Sequence, residues 1–305
     1  VLRAIVDQNR KAYGVEPICK GLQIAPSGYR CHAARKRKPE LLCARAKRDE
    51  TLMPQIQAVW QANMQVYGAD KVWHQMNREG NKVARCTVER LMKRLGLHGV
   101  RRGKVIRTTV PDKAAPCPLD RVNRQFKADR PNQLWVSDFT YVSTWQGWQY
   151  VAFVIDVFAR RIVGWRVSSS MRTDFVLDAL EQALFDRQPE RSDALIHHSD
   201  RGSQYVSILY TERLAEAGIE PSVGSRGDSY DNALAETING LYKAELIHRR
   251  APWKTKEALE LATLEWVAWF NHHRLLSSIG YIPPAEAEVN YYRQLAGKNE
   301  TEVST

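Results

Sequence analysis

The segment from about residue 131 to residue 250 combines two kinds of sequence pattern in a fixed order. It opens with three runs rich in valine, isoleucine and aromatic residues, which read LWVSDFTYV, WQYVAFVIDVFA and RIVGWRVSS. Such runs, separated by short turns, predict a three-stranded meander. Helical and strand-like segments then alternate, and helices that connect successive strands place those strands in parallel. The pattern therefore predicts an α/β domain with a mixed five-stranded sheet.

The first hundred residues carry helical patterns instead. A helix that ends near Gly80 is followed by a basic helix in RCTVERLMKRLGL. The apolar residues of this second helix share one face at helical spacing: Val88, Leu91, Met92 and Leu95. A short turn between two such helices is typical of a helix-turn-helix, whose second helix enters the major groove of DNA, although basic helical hairpins are also common. We expect four basic side chains of this helix to contact DNA: Arg85, Arg90, Lys93 and Arg94.

Basic and acidic residues are unevenly distributed along the chain. Residues 1–130 contain 28 Lys and Arg against 11 Asp and Glu, a net charge of +17, and the remainder contains 17 against 23, a net charge of −6. This asymmetry favours a nucleic-acid-binding region attached to a different kind of domain over a basic surface that serves solubility alone. No run reaches the roughly 18 apolar residues of a membrane span, so we expect no membrane partner.

Composition and pattern together divide the chain into five predicted segments. Between residues 101 and 130 helical periodicity is lost and prolines are frequent, which indicates a linker. The segments are an N-terminal helical, helix-turn-helix-like segment (1–48), a helix-turn-helix DNA-binding domain (49–100), a basic linker (101–130), an α/β core (131–250) and a C-terminal helical extension with a tail (251–305).

Two acidic residues occur where a charge is costly. Asp138 lies inside the apolar run LWVSDFTYV, and Asp200 directly follows the short strand-like run that ends in two histidines. A buried charge costs several kcal/mol unless a partner compensates it. Sites in sheets of this kind form outside the carboxyl ends of the parallel strands. We therefore expect the two carboxylates to lie near each other there.

A helix predicted from Asn232 adds a third carboxylate. At about 100° per residue, one stripe of this helix contains four polar residues: Asn232, Glu236, Asn239 and Lys243. The opposite side is apolar and contains Leu234, Ile238, Leu241 and Tyr242. We expect the apolar side to pack on the sheet and the polar stripe to face outward. Glu236 would then join the two aspartates, and Asn232, Asn239 and Lys243 would be placed to contact DNA.

Three carboxylates cannot remain ionised close together without cations. Two Mg²⁺ ions would compensate their combined charge of −3, and Mg²⁺ prefers a few carboxylates with room for phosphate oxygens and water. Two such ions about 4 Å apart stabilise the attacking and leaving oxygens of an in-line phosphoryl displacement. The sequence therefore predicts Asp138, Asp200 and Glu236 as catalytic metal ligands, with Mn²⁺ as a substitute for Mg²⁺.

These residues and their surroundings resemble a known superfamily. Asp138, Asp200 and Glu236, with Lys243 seven residues after the glutamate, are similar to the catalytic set of the DDE transposases and retroviral integrases. The words HSDRGSQY, YDNALAE and FNHHR–SSIGYIPPAEA resemble transposases of bacterial insertion sequences made by frameshift fusion of two reading frames. The resemblance extends over nearly the whole chain. Ser137 and Leu276 depart from it, since threonine and histidine are frequent at these places.

The resemblance implies a fold and an activity. The fold would be a ribonuclease H-like α/β core preceded by an all-α helix-turn-helix region. The activity would be Mg²⁺-dependent cleavage of the ends of a mobile DNA element and transfer of the freed 3′-hydroxyl to target DNA. The implied partners are element ends, target DNA, further copies of the chain as a dimer or higher oligomer, and a fused segment from an upstream frame. The implied location is the bacterial cytoplasm, at the nucleoid.

Several other polar residues have structural interpretations. We interpret Asp156 as bonded to turn amides and Asp231 as a helix cap. His197 and His198 have either a structural or a phosphate-contacting role. Three residues that follow the aromatic-rich helix LEWVAWF are candidate phosphate contacts: His272, His273 and Arg274. We interpret the large aromatic residues of that helix as core residues: Trp266, Trp269 and Phe270.

Two alternative functions remain open from the sequence. A nuclease of the same fold would share the three acids without needing strand transfer. A transcription regulator would use the helix-turn-helix and carry an inactive core, although the intact acidic set argues against this.

Overall fold

The computed structural model describes residues 2–101, 127–190, 194–200, 204–205, 207–223 and 232–303. Most of the predicted linker (101–130) lies outside these residues, and so does Asp231, the predicted cap.

Residues 2–41 form a small helical unit. Its core consists of Val6, Cys19 and Tyr29. The hydroxyl of Tyr29 also donates a hydrogen bond of 2.6 Å to Asp7 Oδ1, which joins the first and third helices. The helices are α1 (Leu2–Tyr13), α2 (Val15–Gly21) and α3 (Pro26–Arg37), followed by a 3₁₀ turn (Pro39–Leu41).

The predicted helix-turn-helix is present as three packed helices, α4 (Ala44–Ala62), α5 (Ala69–Arg78) and α6 (Arg85–Leu95). Val88, Leu91 and Met92 are buried, as the helical pattern of α6 predicted. Gly80 has a φ of +84°, a conformation that suits glycine and reverses the chain between α5 and α6. The turn is held by Trp73, whose ring N–H donates to the carbonyl oxygen of Val83 at 2.8 Å.

The predicted mixed five-stranded sheet is confirmed. Its strands are β1 (Leu134–Thr144), β2 (Gly147–Asp156), β3 (Arg161–Ser168), β4 (Ile196–Ser199) and β5 (Glu220–Val223). They lie in the order β3-β2-β1-β4-β5. The first three form an antiparallel meander, and β1, β4 and β5 are parallel. The two parallel pairings are the ones that helical connections predicted.

Helices cover both faces of the sheet. On one face, α7 (Thr173–Arg187) and α8 (Ile208–Glu216) enclose a core that includes Trp135 and Val154. On the other face, α9 (Ala233–Tyr242) and α11 (Lys256–His272) enclose a second core around Phe153.

The chain after α9 forms the remaining helical elements. These are a π-helical segment (Lys243–Ile247), α10 (His248–Arg250), α11, a 3₁₀ turn (Ser277–Ile279) and α12 (Pro284–Val303). Trp266, Trp269 and Phe270 are buried, as their interpretation as core residues requires. Among the helices described, none is long and apolar enough to cross a membrane.

Arg274 does not contact phosphate, and the prediction for this residue is wrong. Its side chain is buried and bonds to the buried carboxylate of Glu245, with Nε 3.0 Å from Oε2. A buried guanidinium needs such a carboxylate partner. The partner lies 29 residues away in the chain, so the local pattern around Arg274 gave no sign of it.

The helix-turn-helix packs directly on the C-terminal helices. The hydroxyl of Tyr67 donates to the carbonyl oxygen of His273 at 3.0 Å and accepts from the backbone N–H of Leu275 at 2.7 Å. The indole of Trp269 donates to Asn63 Oδ1 at 3.3 Å. The buried residues of both regions belong to one continuous apolar core with α9 and β1.

Candidate active site

Two neighbouring strands place Asp138 and Asp200 side by side. Ser137 of β1 pairs with Ser199 of β4 in parallel register. Each acid is the next residue along its own strand direction, and paired positions in a parallel sheet project to the same side. Asp138 and Asp200 are both half-buried. The register of two strands therefore explains why the two carboxylates come together, as the sequence predicted.

Helix α9 brings Glu236 to the same place. It packs against β1 and is fastened to it by two asparagines. Asn232 Nδ2 donates to the carbonyl oxygen of Ser137 at 2.8 Å, and Asn239 Nδ2 donates to Asp138 Oδ2 at 2.9 Å. Glu236 lies between these two anchors and remains exposed at the rim.

The expectation that the whole polar stripe of α9 faces outward is wrong for the asparagines. Asn232 and Asn239 are buried, because their amide groups bond to β1. Leu234, Ile238 and Tyr242 are buried as predicted. The helix is therefore packed on two sides, and Glu236 and Lys243 are the members of the stripe that remain accessible to solvent.

Burial and neighbouring charge change the protonation of Asp138 and Glu236. Burial raises the pKa of Asp138 to about 7; the charge of Asp200 adds to this effect and that of Glu236 adds less. Hydrogen bonds from the Phe139 backbone N–H (2.8 Å) and from Asn239 oppose the rise. Burial and the charge of Asp200 also raise the pKa of Glu236. The site therefore concentrates negative charge in a desolvated place.

Two amide oxygens at this site are unsatisfied. Asn232 Oδ1 and Asn239 Oδ1 are buried and accept no hydrogen bond from the part of the chain that is described. Buried polar atoms of this kind usually have a partner, such as water or a bound ion. Their position beside Asp138 indicates that the site is built to receive additional polar groups.

Lys243 adds a cation next to the carboxylates. It is half-buried, and burial lowers its pKa while the charge of Asp138 opposes that change. Its ammonium lies 4.9 Å from the centre of the Tyr141 ring. Lys243 is therefore placed between the acidic site and the outer part of β1.

The two histidines before Asp200 are buried structural residues. His197 Nε2 lies 2.7 Å from Ser137 Oγ and 3.1 Å from the hydroxyl of Tyr210. Burial lowers the pKa of His197 to about 3, so its ring is neutral at physiological pH. His198 Nδ1 lies 2.9 Å from Ser222 Oγ. Both rings thus join β4 to its neighbours.

Asp156 has the structural role predicted for it. Its carboxylate accepts from the backbone N–H groups of Asn132 (2.8 Å) and Phe158 (3.0 Å) and from the Arg187 guanidinium (3.0 Å). Burial raises its pKa, against these stabilising contacts. Arg187 also donates to Glu288 Oε1 at 2.7 Å, so Asp156 belongs to a separate structural network of charged residues.

Tyr205 is a residue that the sequence interpretation missed. Its side chain is buried, its hydroxyl has no hydrogen-bond partner among the described residues, and its ring is 6.2 Å from that of Phe139. Burial raises the pKa of its hydroxyl well above the ordinary value, and electrostatic interactions with Tyr210, Asp138 and Asp200 add to the rise. The sequence offered one indication that Tyr205 lies near the site, since it is five residues after the candidate metal ligand Asp200.

The basic residues of α6 differ in their surroundings. Lys93 and Arg94 are exposed, and Arg85 is exposed beside Asp70 at 3.5 Å. Arg90 instead forms two hydrogen bonds of 2.8 and 2.7 Å with the buried carboxylate of Asp49. The prediction of four equivalent DNA contacts is therefore corrected for Arg90, whose guanidinium fastens α6 to α4.

Within the described ranges, no group of three His, Cys, Asp or Glu side chains surrounds a single point at which one metal ion would be held. The donor chemistry nevertheless suits hard cations, because carboxylate and amide oxygens converge at a desolvated place. The residues present therefore offer the kind of donors that a divalent ion takes.

Comparison with known sequences identifies the two main parts of the chain. Residues 128–229 match a family model described as an integrase core domain, and residues 217–284 match a second model with the same description. Residues 47–105 match a model described as an HTH-like domain. The first pair of matches contains all three candidate acids, and the third contains α5, α6 and all but the first three residues of α4.

Solved structures of retroviral integrases match this chain at low sequence identity. The integrase catalytic core domain of HTLV-2 in complex with magnesium matches with a TM-score of 0.42 and 16% identity, covering 52% of this chain and 98% of that one. The simian T-cell lymphotropic virus intasome matches with a TM-score of 0.45 and 15% identity, covering 71% and 70%.

Curated relatives are much more similar. The chain is 60% identical over 185 residues to the transposase for insertion sequence element IS3411 of Escherichia coli, which covers 61% of this chain and 77% of the relative. It is 60% identical over 291 residues to the transposase for insertion sequence element IS629 of Shigella sonnei, which covers 95% of this chain and 97% of the relative. Because this second identity extends over nearly the full length of both proteins, the chain belongs to the insertion-sequence transposases, the DDE-type enzymes that join a helix-turn-helix-like domain to a ribonuclease H-like integrase core.

Proposed function

We propose that this transposase cuts DNA at the ends of its element and joins the freed 3′-hydroxyl to target DNA, with Asp138, Asp200 and Glu236 as the catalytic metal ligands. The observation that carries the proposal is the pairing of Ser137 with Ser199, which sets the two aspartates side by side. The charge of Asp200, which raises the pKa of both Asp138 and Glu236 in addition to burial, supports it.

Divalent ions have a defined place in this proposal. Asp138, Asp200 and Glu236 would hold two Mg²⁺ ions, or Mn²⁺ in their place. When bound, the ions would supply positive charge for the attacking and leaving oxygens of an in-line phosphoryl displacement.

The other polar residues of the site position DNA and the carboxylates. Phe139 and Asn239 donate one hydrogen bond to each oxygen of Asp138, which fixes the orientation of the carboxylate. Lys243 contacts a DNA phosphate next to the site. Asn232 and Asn239 use their Nδ2 atoms on β1 and have only their Oδ1 atoms left for contact with DNA.

Recognition of the element end belongs to α6 in this proposal. Arg85, Lys93 and Arg94 are on its exposed side and would contact DNA as α6 enters the major groove. The five segments with boundaries near residues 48, 100, 130 and 250 remain a proposal for how the chain is divided.

The remaining partners complete the proposal. A DNA transposition event involves two element ends, so we infer a homo-oligomer, a dimer or higher, on DNA. A segment encoded by an upstream frame would add a further DNA-binding region, and the reaction would take place in the bacterial cytoplasm, at the nucleoid.

The experiment uses the terminal inverted repeats that flank the gene. Labelled duplexes carrying one repeat are incubated with the full chain, Mg²⁺ and a plasmid target. The proposal predicts cleavage at the repeat end and labelled strand-transfer products, both lost in Glu236→Gln and Asp200→Asn. Full activity of Glu236→Gln would refute the role of the three acids. Cleavage without joining would indicate a nuclease, and binding alone would indicate a regulator.

A further inference from the structure

The β1–β2 hairpin beyond the candidate active site carries exposed aromatic rings. Tyr141, Trp145 and Trp148 are 57%, 70% and 56% exposed. The rings of Tyr141 and Trp148 form an edge-to-face pair with centroids 5.2 Å apart. Large aromatic rings are normally buried for most of their area, so three exposed rings on one hairpin require an explanation.

Two lysines accompany these rings. Lys243 lies 4.9 Å from the centre of the Tyr141 ring, and Lys254 lies 5.4 Å from that of Trp145. The chain after residue 130 has a net charge of −6, and the charged residues that contact these rings are both cations. We call these five residues the hairpin surface: Tyr141, Trp145, Trp148, Lys243 and Lys254.

The hairpin surface is held rigidly in place. The backbone N–H of Trp145 donates to the carbonyl oxygen of Trp253 at 3.0 Å, and Thr144 pairs with Trp253 in an isolated bridge. The Lys256 backbone N–H donates to Gln146 Oε1 at 2.9 Å. Rings on an anchored turn lose little entropy on binding a ligand.

Lys243 links the hairpin surface to the candidate active site. Tyr141 is three residues after Asp138 on β1, about 10 Å along the strand and about three stacked base steps of 3.4 Å, and side chains three residues apart in a strand project to opposite faces of the sheet. Lys243 interacts electrostatically with Asp138 and also lies over the Tyr141 ring. A nucleic acid strand held at the carboxylates therefore has the aromatic rings within a few nucleotides.

The cations distinguish between two occupants of this surface. A symmetric contact between two copies of the chain sets the same patch against itself, and Lys243 and Lys254 would then face lysines. A nucleic acid strand instead offers phosphates to the lysines and bases to the rings, and exposed aromatic residues interleaved with cations are typical of surfaces that bind single strands.

We propose that Tyr141 and Trp148 form a stacking site for an unpaired base of the DNA strand that enters the active site, with Lys243 and Lys254 contacting its phosphates. The site would hold the last few nucleotides of an opened DNA end beside the three acids. This inference rests on the proposed function of the acids.

The test measures base stacking without catalysis. The probe is a duplex with the terminal repeat and a three-nucleotide unpaired extension that contains 2-aminopurine, studied in EDTA with the full chain. Wild-type protein should quench the 2-aminopurine fluorescence. The double variant Tyr141→Ala/Trp148→Ala should lose the quenching and bind this DNA about tenfold more weakly or worse, with unchanged affinity for the blunt duplex.

Controls separate the proposal from its alternatives. Tyr141→Phe/Trp148→Phe should restore quenching, and Phe185→Ala, which removes a ring that is 77% exposed on α7, should behave as wild type. An abasic nucleotide in the extension should reproduce the loss of affinity with unaltered protein, which covers the case of a variant that fails to fold.

Two results would overturn the inference. One is wild-type quenching and affinity in the double variant. The other is unchanged DNA binding together with a smaller assembly by light scattering, which would assign the hairpin surface to a second copy. If wild-type protein performs strand transfer, either result refutes only this inference. If wild-type protein does not perform strand transfer, the proposed function itself is refuted.

Discussion

Asp138 occupies a position at which its own charge is unfavourable. Burial and the neighbouring carboxylates raise its pKa to about 7, above the ordinary value of 3.8. Between these two pH values the folded protein holds a proton that the unfolded chain has lost. The free energy of unfolding of the metal-free protein therefore decreases as pH rises through this range.

This linkage predicts the behaviour of Asp138→Asn. In EDTA, the melting temperature of wild-type protein should decrease as the pH rises from 5 to 8. The melting temperature of the variant should decrease less over this range and should be a few degrees higher than that of wild type at pH 8. Differential scanning calorimetry of both proteins measures this. A variant that melts lower than wild type at pH 8 would show that Asp138 is not a site of electrostatic strain.

Asp49 provides a control, because its pKa is shifted in the opposite direction to that of Asp138. A hydrogen bond from Arg90 lowers the pKa of Asp49, so its contribution to stability is present above the ordinary pKa and is lost as pH falls. Asp49→Asn should therefore lower the melting temperature at pH 8. Equal shifts in the two variants would contradict the assigned directions.

The three acids could be predicted from local sequence, whereas their supporting contacts could not. Each acid is marked by its neighbours within a short stretch of sequence. Asp138 lies in an apolar run, Asp200 follows a strand-like run, and Glu236 shares the polar stripe of a predicted helix. The bond from Asn239 to Asp138 joins residues 101 positions apart, and that from Arg90 to Asp49 joins residues 41 apart. Such pairs depend on how elements pack, so Asn239 and Arg90 were interpreted as DNA contacts.

At the scale of elements, the packing of α7 on β3 depends on one glycine. A Cβ atom on Gly164 would lie 2.0 Å from the carbonyl oxygen of Ala179 and 3.0 Å from Ala183 Cβ. Only glycine allows the strand and helix backbones to approach this closely. The contact sets the position of α7 on the sheet.

Two glycine-to-alanine substitutions should therefore have opposite effects. Gly164→Ala should destabilise the protein by several kcal/mol, because the helix must move off the sheet. Gly28→Ala in α3 meets no atom within 4 Å and should stabilise that helix by up to ~1 kcal/mol. Urea unfolding of both variants measures the difference, and similar effects would refute the close approach at Gly164.

The exposed basic residues of α6 give a prediction about salt. Each phosphate contact contributes a slope of about −0.9 to the plot of log binding constant against log salt concentration. Lys93→Ala/Arg94→Ala should therefore reduce the magnitude of the slope by about 2 in binding to the terminal repeat. Arg213→Ala, whose partner is Glu181, should leave the slope unchanged. An unchanged slope in the α6 variant would place the DNA elsewhere.

Helix α9 shows where periodicity stops being informative. Its apolar stripe was predicted correctly, but the pattern gave one continuous helix through the following residues. The structure has a π-helical segment over Lys243–Ile247, where each bond spans five residues and the facing of side chains changes. A period of 3.6 residues cannot reveal this local change, which turns Glu245 into the core to meet Arg274.

At the scale of the molecule, the DNA-reading helices and the catalytic core share one apolar core. Tyr67 and Trp269 connect the helix-turn-helix to the C-terminal helices, over separations of more than 200 residues along the chain. The charge distribution had indicated a basic region attached to a separate acidic domain. Long-range packing of this kind carries no signal in a single sequence, although the two domain types themselves could be predicted.

The central claim is that Asp138, Asp200 and Glu236 form one site for divalent ions. Electron paramagnetic resonance counts the Mn²⁺ ions bound by the full chain on terminal-repeat DNA. The account predicts two tightly bound ions per chain in wild-type protein and in Glu181→Gln, and the loss of at least one in each of Asp138→Asn, Asp200→Asn and Glu236→Gln. The same number of ions, bound equally tightly, in all five proteins would contradict it.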